Sequence, residues 1–507
     1  MIIPHRKVFA VVLPLLFATQ VSATPVITGV NEDTIARSGR VAITGTGFGA
    51  EGPQSEVLIA GLPALASTWT DTRIVAYVPE AADLGATSLW VDAQGMRSNE
   101  IGLTVTDRQA TGRVRWTFEA EGSNLWWRPA LAPDGTIYVH AHNADGGLIY
   151  ALSQDGALLW IGKAGWSPYV PPSAGPDGAV YVGSISTIYR ISPQGSIDWQ
   201  YRPLDGFNIR VAPTIGPNGL LYGAFELSGV FAMEPLTGTV IWSNPGNPAM
   251  TDKASDAVEM KFGPSGPGQP VDQIYASMEG QRSFYAFSSS GDQLFTASLA
   301  NSRGSAEAAI GSDGTIYGPS SLGLTVKAID PTDGSTLWQY YPGDWATGTL
   351  NVEIGPDDTL YFVGSSAKLE AYDPHSQYRK WQFFDPGYSL GRPSVTPDGA
   401  TLILAGSDTS IYGYPGFVKA FASRNGRELW TVNLPFQLNP GYRVYGVHHP
   451  RITPDGTTAY VSTLTLAEWP LNQDPHSFVY AIDISSAKGG GKGGGGKGGG
   501  KGGKGGK

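Results

Sequence analysis

The chain offers few side chains capable of covalent chemistry. Its 507 residues include no cysteine, which removes thiolate nucleophiles, thiolate metal sites, CxxCH haem attachment and disulfides together. His140, His142, His375, His448, His449 and His476 are scattered, and no HExxH pairs two of them on a helix. His448 and His449 stand side by side before Pro450, but a metal would need a third ligand that the spacing does not supply. Asp134, Asp177, Asp313, Asp398 and Asp455 recur within Pro-Asp-Gly or closely similar triplets. An aspartate there bonds the backbone two residues on and shapes a turn before it serves as a base. No catalytic residue, metal ligand or cofactor is therefore expected.

The remaining candidates are aromatic and basic. Of the 14 tryptophans, Trp116, Trp160, Trp199, Trp242, Trp338, Trp381 and Trp430 end repeated strands and are expected to pack between sheets. Trp69 and Trp90 fall in the first 105 residues and are expected in the core of a separate unit. Trp126, Trp127, Trp166 and Trp345 fall in connections between repeats, and Trp469 in a long loop of the last repeat. Arg128, Arg210, Arg392, His449 and Arg451 each stand just before or at the start of a repeat's first strand. These ten residues form the candidate ligand-binding set, because exposed aromatics with polar neighbours suit stacking on sugars or gripping a peptide.

The elements that would position them are legible as a repeat. Ala328-Ile-Asp-Pro-Thr-Asp-Gly-Ser-Thr-Leu-Trp338 reads as a strand, a tight Asp-Gly turn and a strand ending in Trp. Variants end at Trp160, Trp199, Trp242, Trp381 and Trp430, and Phe295 takes the Trp place in a degenerate copy. A second landmark precedes each, as in Pro133-Asp-Gly-Thr-Ile-Tyr-Val139 and Pro176-Asp-Gly-Ala-Val-Tyr-Val182. Pro presets φ and Gly accepts a positive φ, so this too is a turn between antiparallel strands. Four strands in every 40–50 residues mark a β-propeller blade. The last copy lacks its closing strand, while Gly112-Arg-Val-Arg-Trp-Thr-Phe118 is a Trp strand without a copy. Residues 113–118 should therefore pair with 478–484, close the ring and give eight blades. In such blades both Asp-Gly turns lie at one end of the ring. The ten candidates should crowd the other end, with Arg128, Arg210, Arg392, His449 and Arg451 near the channel mouth.

These repeats resemble the PQQ-like repeat family, which includes quinoprotein dehydrogenases and non-enzymatic BamB-like outer-membrane assembly scaffolds. The resemblance covers residues 113–487 and implies a scaffold rather than a cofactor. The dehydrogenases of that family use a calcium site, a catalytic aspartate and a clamp around the quinone, and no Asn/Asp/Glu set here matches the calcium motif. Residues 24–105 are similar to the IPT/TIG family of immunoglobulin-like domains, through Pro25-Val-Ile-Thr-Gly-Val30, Gly45-Thr-Gly-Phe-Gly49, Trp69-Thr-Asp-Thr-Arg-Ile74, Val78-Pro79 and Ser98-Asn99. Short strands without a helical period suit a small β-sandwich. The expected fold is all-β: an eight-bladed β-propeller after an N-terminal immunoglobulin-like β-sandwich, with residues 106–112 as linker.

The flanks give an address. Arg6 and Lys7, an apolar Val8–Ala18 and Val21-Ser22-Ala23 form a signal-peptide pattern over residues 1–23. The apolar run is too short to span a bilayer, and no transmembrane segment is expected. From Lys488 to Lys507 the chain is only Gly and Lys, a disordered tail that carries no fold or tethers the protein to anionic surface polymers. The net charge of −10 includes the six lysines of that tail, so the body is more acidic still and unsuited to nucleic acid. The expectation is a secreted or periplasmic, cell-surface-associated protein that is not an enzyme. It would bind a cell-envelope protein or polysaccharide. The alternative is a PQQ-dependent or related periplasmic oxidoreductase.

Overall fold

The computed structural model describes residues 24–122, 128–143, 145–165, 170–203, 208–225, 229–244, 258–263, 273–278, 283–297, 299, 308–320, 325–342, 351–364, 368–385, 388–408, 415–434, 442–467 and 476–485. The signal-peptide and Gly/Lys segments lie outside these residues. The chain divides into two compact units at Asp107/Arg108.

The first unit is a single curled sheet of nine strands. Leu62–Trp69 makes the curl. Its first residues, Leu62 to Ala64, pair with Glu56–Ile59, and its last, Leu65 to Trp69, pair with Arg73–Tyr77. One strand thus serves both layers of the expected immunoglobulin-like fold. Between the layers lie Ile27, Val41, Ile43, Phe48, Val57, Ile74, Leu89 and Val91, on the alternating positions that period-2 patterning assigns inward. Trp69 packs on this core, and its indole N–H donates to the Phe48 carbonyl at 3.3 Å. Trp90 does not join it. It alternates with buried Leu89 and Val91, so its ring faces outward, where the Arg97 guanidinium covers it at 3.9 Å.

The second unit is an eight-bladed propeller of four- and five-stranded antiparallel sheets. Blade 1 shows the plan: Ala130–Leu131, Ile137–Asn143, Gly146–Leu152 and Leu158–Lys163, in that order across the sheet. First strands of consecutive blades neighbour one another around the axis, so the first strand is innermost. The second and third strands are buried along nearly their whole length, whereas fourth strands alternate with solvent. Blade 8 closes as expected. Val114–Glu121 supplies its outermost strand, with Trp116 opposite Ala481 and Phe118 opposite Val479. The expected 113–118 segment extends to Glu121, opposite His476. Blade 3 adds a contact the repeat does not encode, a parallel pairing of Val211 and Ala212 with Val258 and Glu259.

The recurring Gly and Trp lock neighbouring blades. Gly195, in the turn before the fourth strand of blade 2, has φ 89°, and a Cβ there would lie 2.8 Å from the Trp160 indole of blade 1. The motif glycine therefore supplies both the left-handed turn and the bare surface on which the preceding blade's Trp lies. Trp160 Nε1 donates to the Pro193 carbonyl at 2.8 Å in that same turn. Trp116, Trp199, Trp242 and Trp381 repeat the arrangement with the carbonyls of Gln154, Pro235, Ser289 and Ser423, and Phe295 rests on Gly334 without the hydrogen bond. At the seam, where no third-to-fourth turn exists, the Arg113 guanidinium covers Trp430 at 4.6 Å.

Candidate functional site

The two ends of the propeller differ in what their polar groups do. At the turn end, the recurrent aspartates are engaged with backbone. Asp134 accepts from Thr136 N at 2.9 Å, Asp177 from Ala179 N at 3.2 Å, Asp313 from Thr315 N at 2.9 Å, Asp398 from Ala400 N at 3.0 Å and Asp455 from Thr457 N at 3.0 Å. Hydrogen bonds from Thr396 and Ala400 hold the Asp398 carboxyl below its ordinary pKa, and those from Thr453 and Thr457 do the same for Asp455. Asp177 also binds the buried Arg190. These are turn-forming side chains, as their triplets imply.

At the other end, the repeat register converges basic groups. Arg128, Arg392 and His449 each stand five residues before the proline of their blade's Pro-Asp-Gly, and each is followed by proline. Proline brings no N–H, and here it falls where the inner strand's pairing is interrupted. In blade 7, Tyr388–Leu390 pairs with Gly406 to Asp408, and pairing resumes only at Ser394 opposite Ile403. In blade 8, Tyr442–Val447 pairs as far as Thr463, and pairing resumes at Arg451 opposite Tyr460. Arg392 and His449 occupy these breaks.

Blades 8 and 1 meet where Arg128 Nη1 lies in hydrogen-bond contact with His449 Nε2. A guanidinium only donates, so this imidazole nitrogen accepts and the ring is neutral. Burial, then the positive fields of Arg128, Arg392, His448 and Lys261, hold the His449 pKa well below its ordinary 6.5. The residue as a whole is half-buried. Lys261 belongs to the first strand of blade 4. Arg392 donates from Nε and Nη2 to Glu353 Oε2 at 3.0 and 2.7 Å, a pair between blades 7 and 6.

Of the expected set, Arg128 and His449 are in direct contact, while Arg392 contacts Glu353. Arg451 lies half-buried on the inner strand of blade 8. Arg210 lies on the strand Ile209–Ile215 of blade 3, its side chain outside the described set. Trp126, Trp127, Trp166, Trp345 and Trp469 all lie outside the described residues. Lys261 and Glu353 escaped the sequence reading. Aligning every blade on its turn would have found them, since both stand three residues before the turn proline, in register with Arg451. The register of Arg128 carries Glu259 and Glu307 in blades 4 and 5, so the basic sector is that of blades 7, 8 and 1. His140 is buried on the strand Ile137–Asn143 of blade 1, and among the described residues neither of its ring nitrogens has a hydrogen-bond partner. Burial, and secondarily His142, push its pKa down to about 3.

With this geometry in hand, comparison with known proteins identifies the scaffold. The family described as outer membrane protein assembly factor BamB matches residues 102–257, 227–383 and 280–444, overlapping windows that cover well over half the chain. The chain belongs to this PQQ-like repeat family. The IPT/TIG domain matches residues 25–105. Among solved structures, BamB from Moraxella catarrhalis is similar at 11% identity and a TM-score of 0.51, covering 72% of this chain and 98% of that one. The C-terminal WD40 domain of Sif2 is similar at 8% identity and a TM-score of 0.53, covering 74% and 99%. The computationally designed Ika8 protein is similar at 11% and 0.53, covering 74% and 100%. A natural scaffold, a WD40 domain and a designed protein share the propeller, so these likenesses show the fold alone. No curated protein matches the sequence.

Proposed function

We propose that this PQQ-like repeat propeller is an exported, non-catalytic binding scaffold whose loop end engages a protein or glycan of the cell envelope. The observation that carries the reading is the division of labour between the ends: turn-end carboxylates are bound to backbone, while at the loop end Arg128 of blade 1 meets His449 of blade 8. The matched family's description as an assembly factor also favours a partner over a substrate. The alternative is a quinone-and-calcium arrangement, for which the shared repeat scaffold is the only support. The test is a binding screen of the purified full chain against envelope proteins and glycans, alongside its absorbance after addition of PQQ and Ca²⁺. Saturable binding to an envelope component supports the scaffold. A bound-quinone spectrum with turnover of an alcohol would replace it with an oxidoreductase.

A further inference from the structure

We propose that the Asn425–Gly426 peptide, in the turn between the third and fourth strands of blade 7, is a site of spontaneous deamidation and chain isomerisation that releases the lock between blades 6 and 7. The inference goes beyond the scaffold reading and does not depend on it.

The chain holds two Asn-Gly pairs, Asn218-Gly219 and Asn425-Gly426. Glycine has no side chain to shield its backbone nitrogen, so that nitrogen can add to the Cγ of the asparagine before it. The N–Cγ bond forms and the Cγ–Nδ2 bond breaks. Nδ2 leaves as ammonia and carries away the proton that the glycine nitrogen gives up. Water then opens the succinimide ring. Attack at Cγ yields aspartate, and attack at the main-chain carbonyl carbon yields isoaspartate, whose main chain runs through the side-chain methylene.

The structure separates the two pairs. Some features they share. Both asparagines are exposed. Both accept at Oδ1 from the backbone N–H two residues on, at 3.3 Å from Leu220 and 3.2 Å from Arg427. That donor faces the oxygen on which negative charge develops as the nitrogen adds. Both glycine N–H groups donate to a carbonyl at 2.9 Å, Gly219 to Gly216 and Gly426 to Ala422. The difference lies in the departing nitrogen. Asn218 Nδ2 donates to the hydroxyl of buried Tyr222 at 2.7 Å, which holds the amide away from the rotation that brings Cγ to the glycine nitrogen. Among the described residues Asn425 Nδ2 has no such anchor. The flanks differ too. Asn425 lies between exposed Arg424 and Arg427, whose positive field favours loss of the glycine proton, whereas Asn218 follows Pro217 and precedes Leu220 by two.

The place of Asn425 gives the reaction its consequence. Gly426 has φ 66°, and a Cβ there would lie 2.5 Å from the Trp381 indole of blade 6. Trp381 Nε1 donates to the Ser423 carbonyl at 2.7 Å. Residues 423–426 therefore form one whole side of the blade 6–7 lock. Isoaspartate at 425 inserts a methylene between its two halves, the Ser423 carbonyl and the bare Gly426 surface. Aspartate keeps the main chain and changes only the charge. The other pair has no such role, since a Cβ on Gly219 meets nothing within 4 Å.

The experiment ages the full-length chain in mildly alkaline buffer at physiological temperature and follows both sites by peptide mass spectrometry, with fragmentation that tells isoaspartate from aspartate. Asn425 should convert roughly fivefold faster than Asn218, the rate ratio that one net hydrogen bond supplies. Tyr222→Phe should raise the rate at Asn218 and leave that at Asn425 unchanged. The aged wild type should melt below the fresh protein. Aged Asn425→Gln should melt as it does when fresh, because the longer side chain closes its ring far more slowly. Fresh Asn425→Asp carries the charge without the isomerised chain and should melt with the fresh wild type. Conversion of Asn218 as fast as Asn425, or an intact Asn425, would overturn the inference. So would a converted protein whose melt is unshifted, or an Asn425→Asp variant that melts as low as the aged wild type, which would assign the loss to charge rather than to the lengthened chain.

Discussion

The turn end and the loop end of the propeller are made from the same eight repeats and obey different rules. At the turn end, a Pro-Asp-Gly turn and a Gly-to-Trp hairpin recur with little change, and the recurrent aspartates are bound to backbone. The register that carries Arg128, Arg392 and His449 at the loop end changes in charge from blade to blade, and Arg392 is paired there with Glu353. Repetition at one end and divergence at the other separate what holds the ring together from what makes this ring particular. The comparison predicts that changes to repeated features cost stability, and that changes to divergent ones cost binding.

The largest effect should come from the closure strand. Removing residues 106–118 takes away Trp116, with its hydrogen bond to the Gln154 carbonyl, and buried Phe118, and it leaves the strand His476–Asp483 as an open edge. The melting temperature should fall by more than about 10 °C, since several kcal/mol of packing are lost. An unchanged melt would show that the ring does not depend on its seam.

A pair of glycines gives a sharper test of the turn end. Gly195 and Gly219 have similar φ of 89° and 83°, but a Cβ on Gly195 meets Trp160 while a Cβ on Gly219 meets nothing within 4 Å. Gly219→Ala should cost about 1 kcal/mol, for the left-handed backbone alone. Gly195→Ala should cost about 2–4 kcal/mol, because displacement of the indole adds to that strain. Urea denaturation of the two variants checks the difference, and equal costs would mean that the Gly–Trp lock carries no stability.

Acid should distinguish the elements by pH window. His140 titrates near 6.5 when unfolded and about 3 when folded. Between those values the unfolded chain binds a proton that the folded chain does not, so stability falls as pH falls, by about 2 kcal/mol from pH 6.5 to 5. His449 acts in the same direction. The turn carboxylates of Asp398 and Asp455 have lowered pKa values. Their contribution is present above the ordinary carboxylate value and is lost only as pH falls through the folded one. The buried histidine should therefore fail first. His140→Leu, measured from pH 7 to 5, should flatten the slope, and an unaltered slope would exclude His140 as its source.

What could be read from sequence divides along the same line. Period-2 strands, Asp-Gly turns and closing Trp residues are local signals, and they yield the blade count, the degenerate Phe295 blade and the seam at Trp116. Trp90 departs from the expected core position. Its place between inward Leu89 and Val91 on one strand put it on the outer face. The mouth was legible only in part. Arg128, Arg392 and His449 announce themselves by position before a proline, but contact between Arg128 and His449 joins residues at opposite ends of the repeat array through ring closure. Lys261 sits in the blade whose landmarks are most eroded, and Glu353 is visible only as the partner of Arg392.

The smallest effect on stability should be that of Arg128→Gln, and it bears most directly on the comparison. Arg128 lies before the first strand of blade 1 and is only half-buried, so its loss opens no core cavity. The change in unfolding free energy should stay within about 0.5 kcal/mol, as for substitutions outside packed regions. The consequence for His449 should be clear by contrast. Two of the causes that depress its pKa, burial and the other cations, persist, while the Arg128 field and the donated hydrogen bond disappear. The pKa should rise toward its ordinary value without reaching it, which a histidine NMR titration reads directly. If Arg128→Gln instead unfolds the protein as severely as Gly195→Ala, the loop mouth is a structural lock like the turn end, and the separation of stability from binding along the propeller axis does not hold.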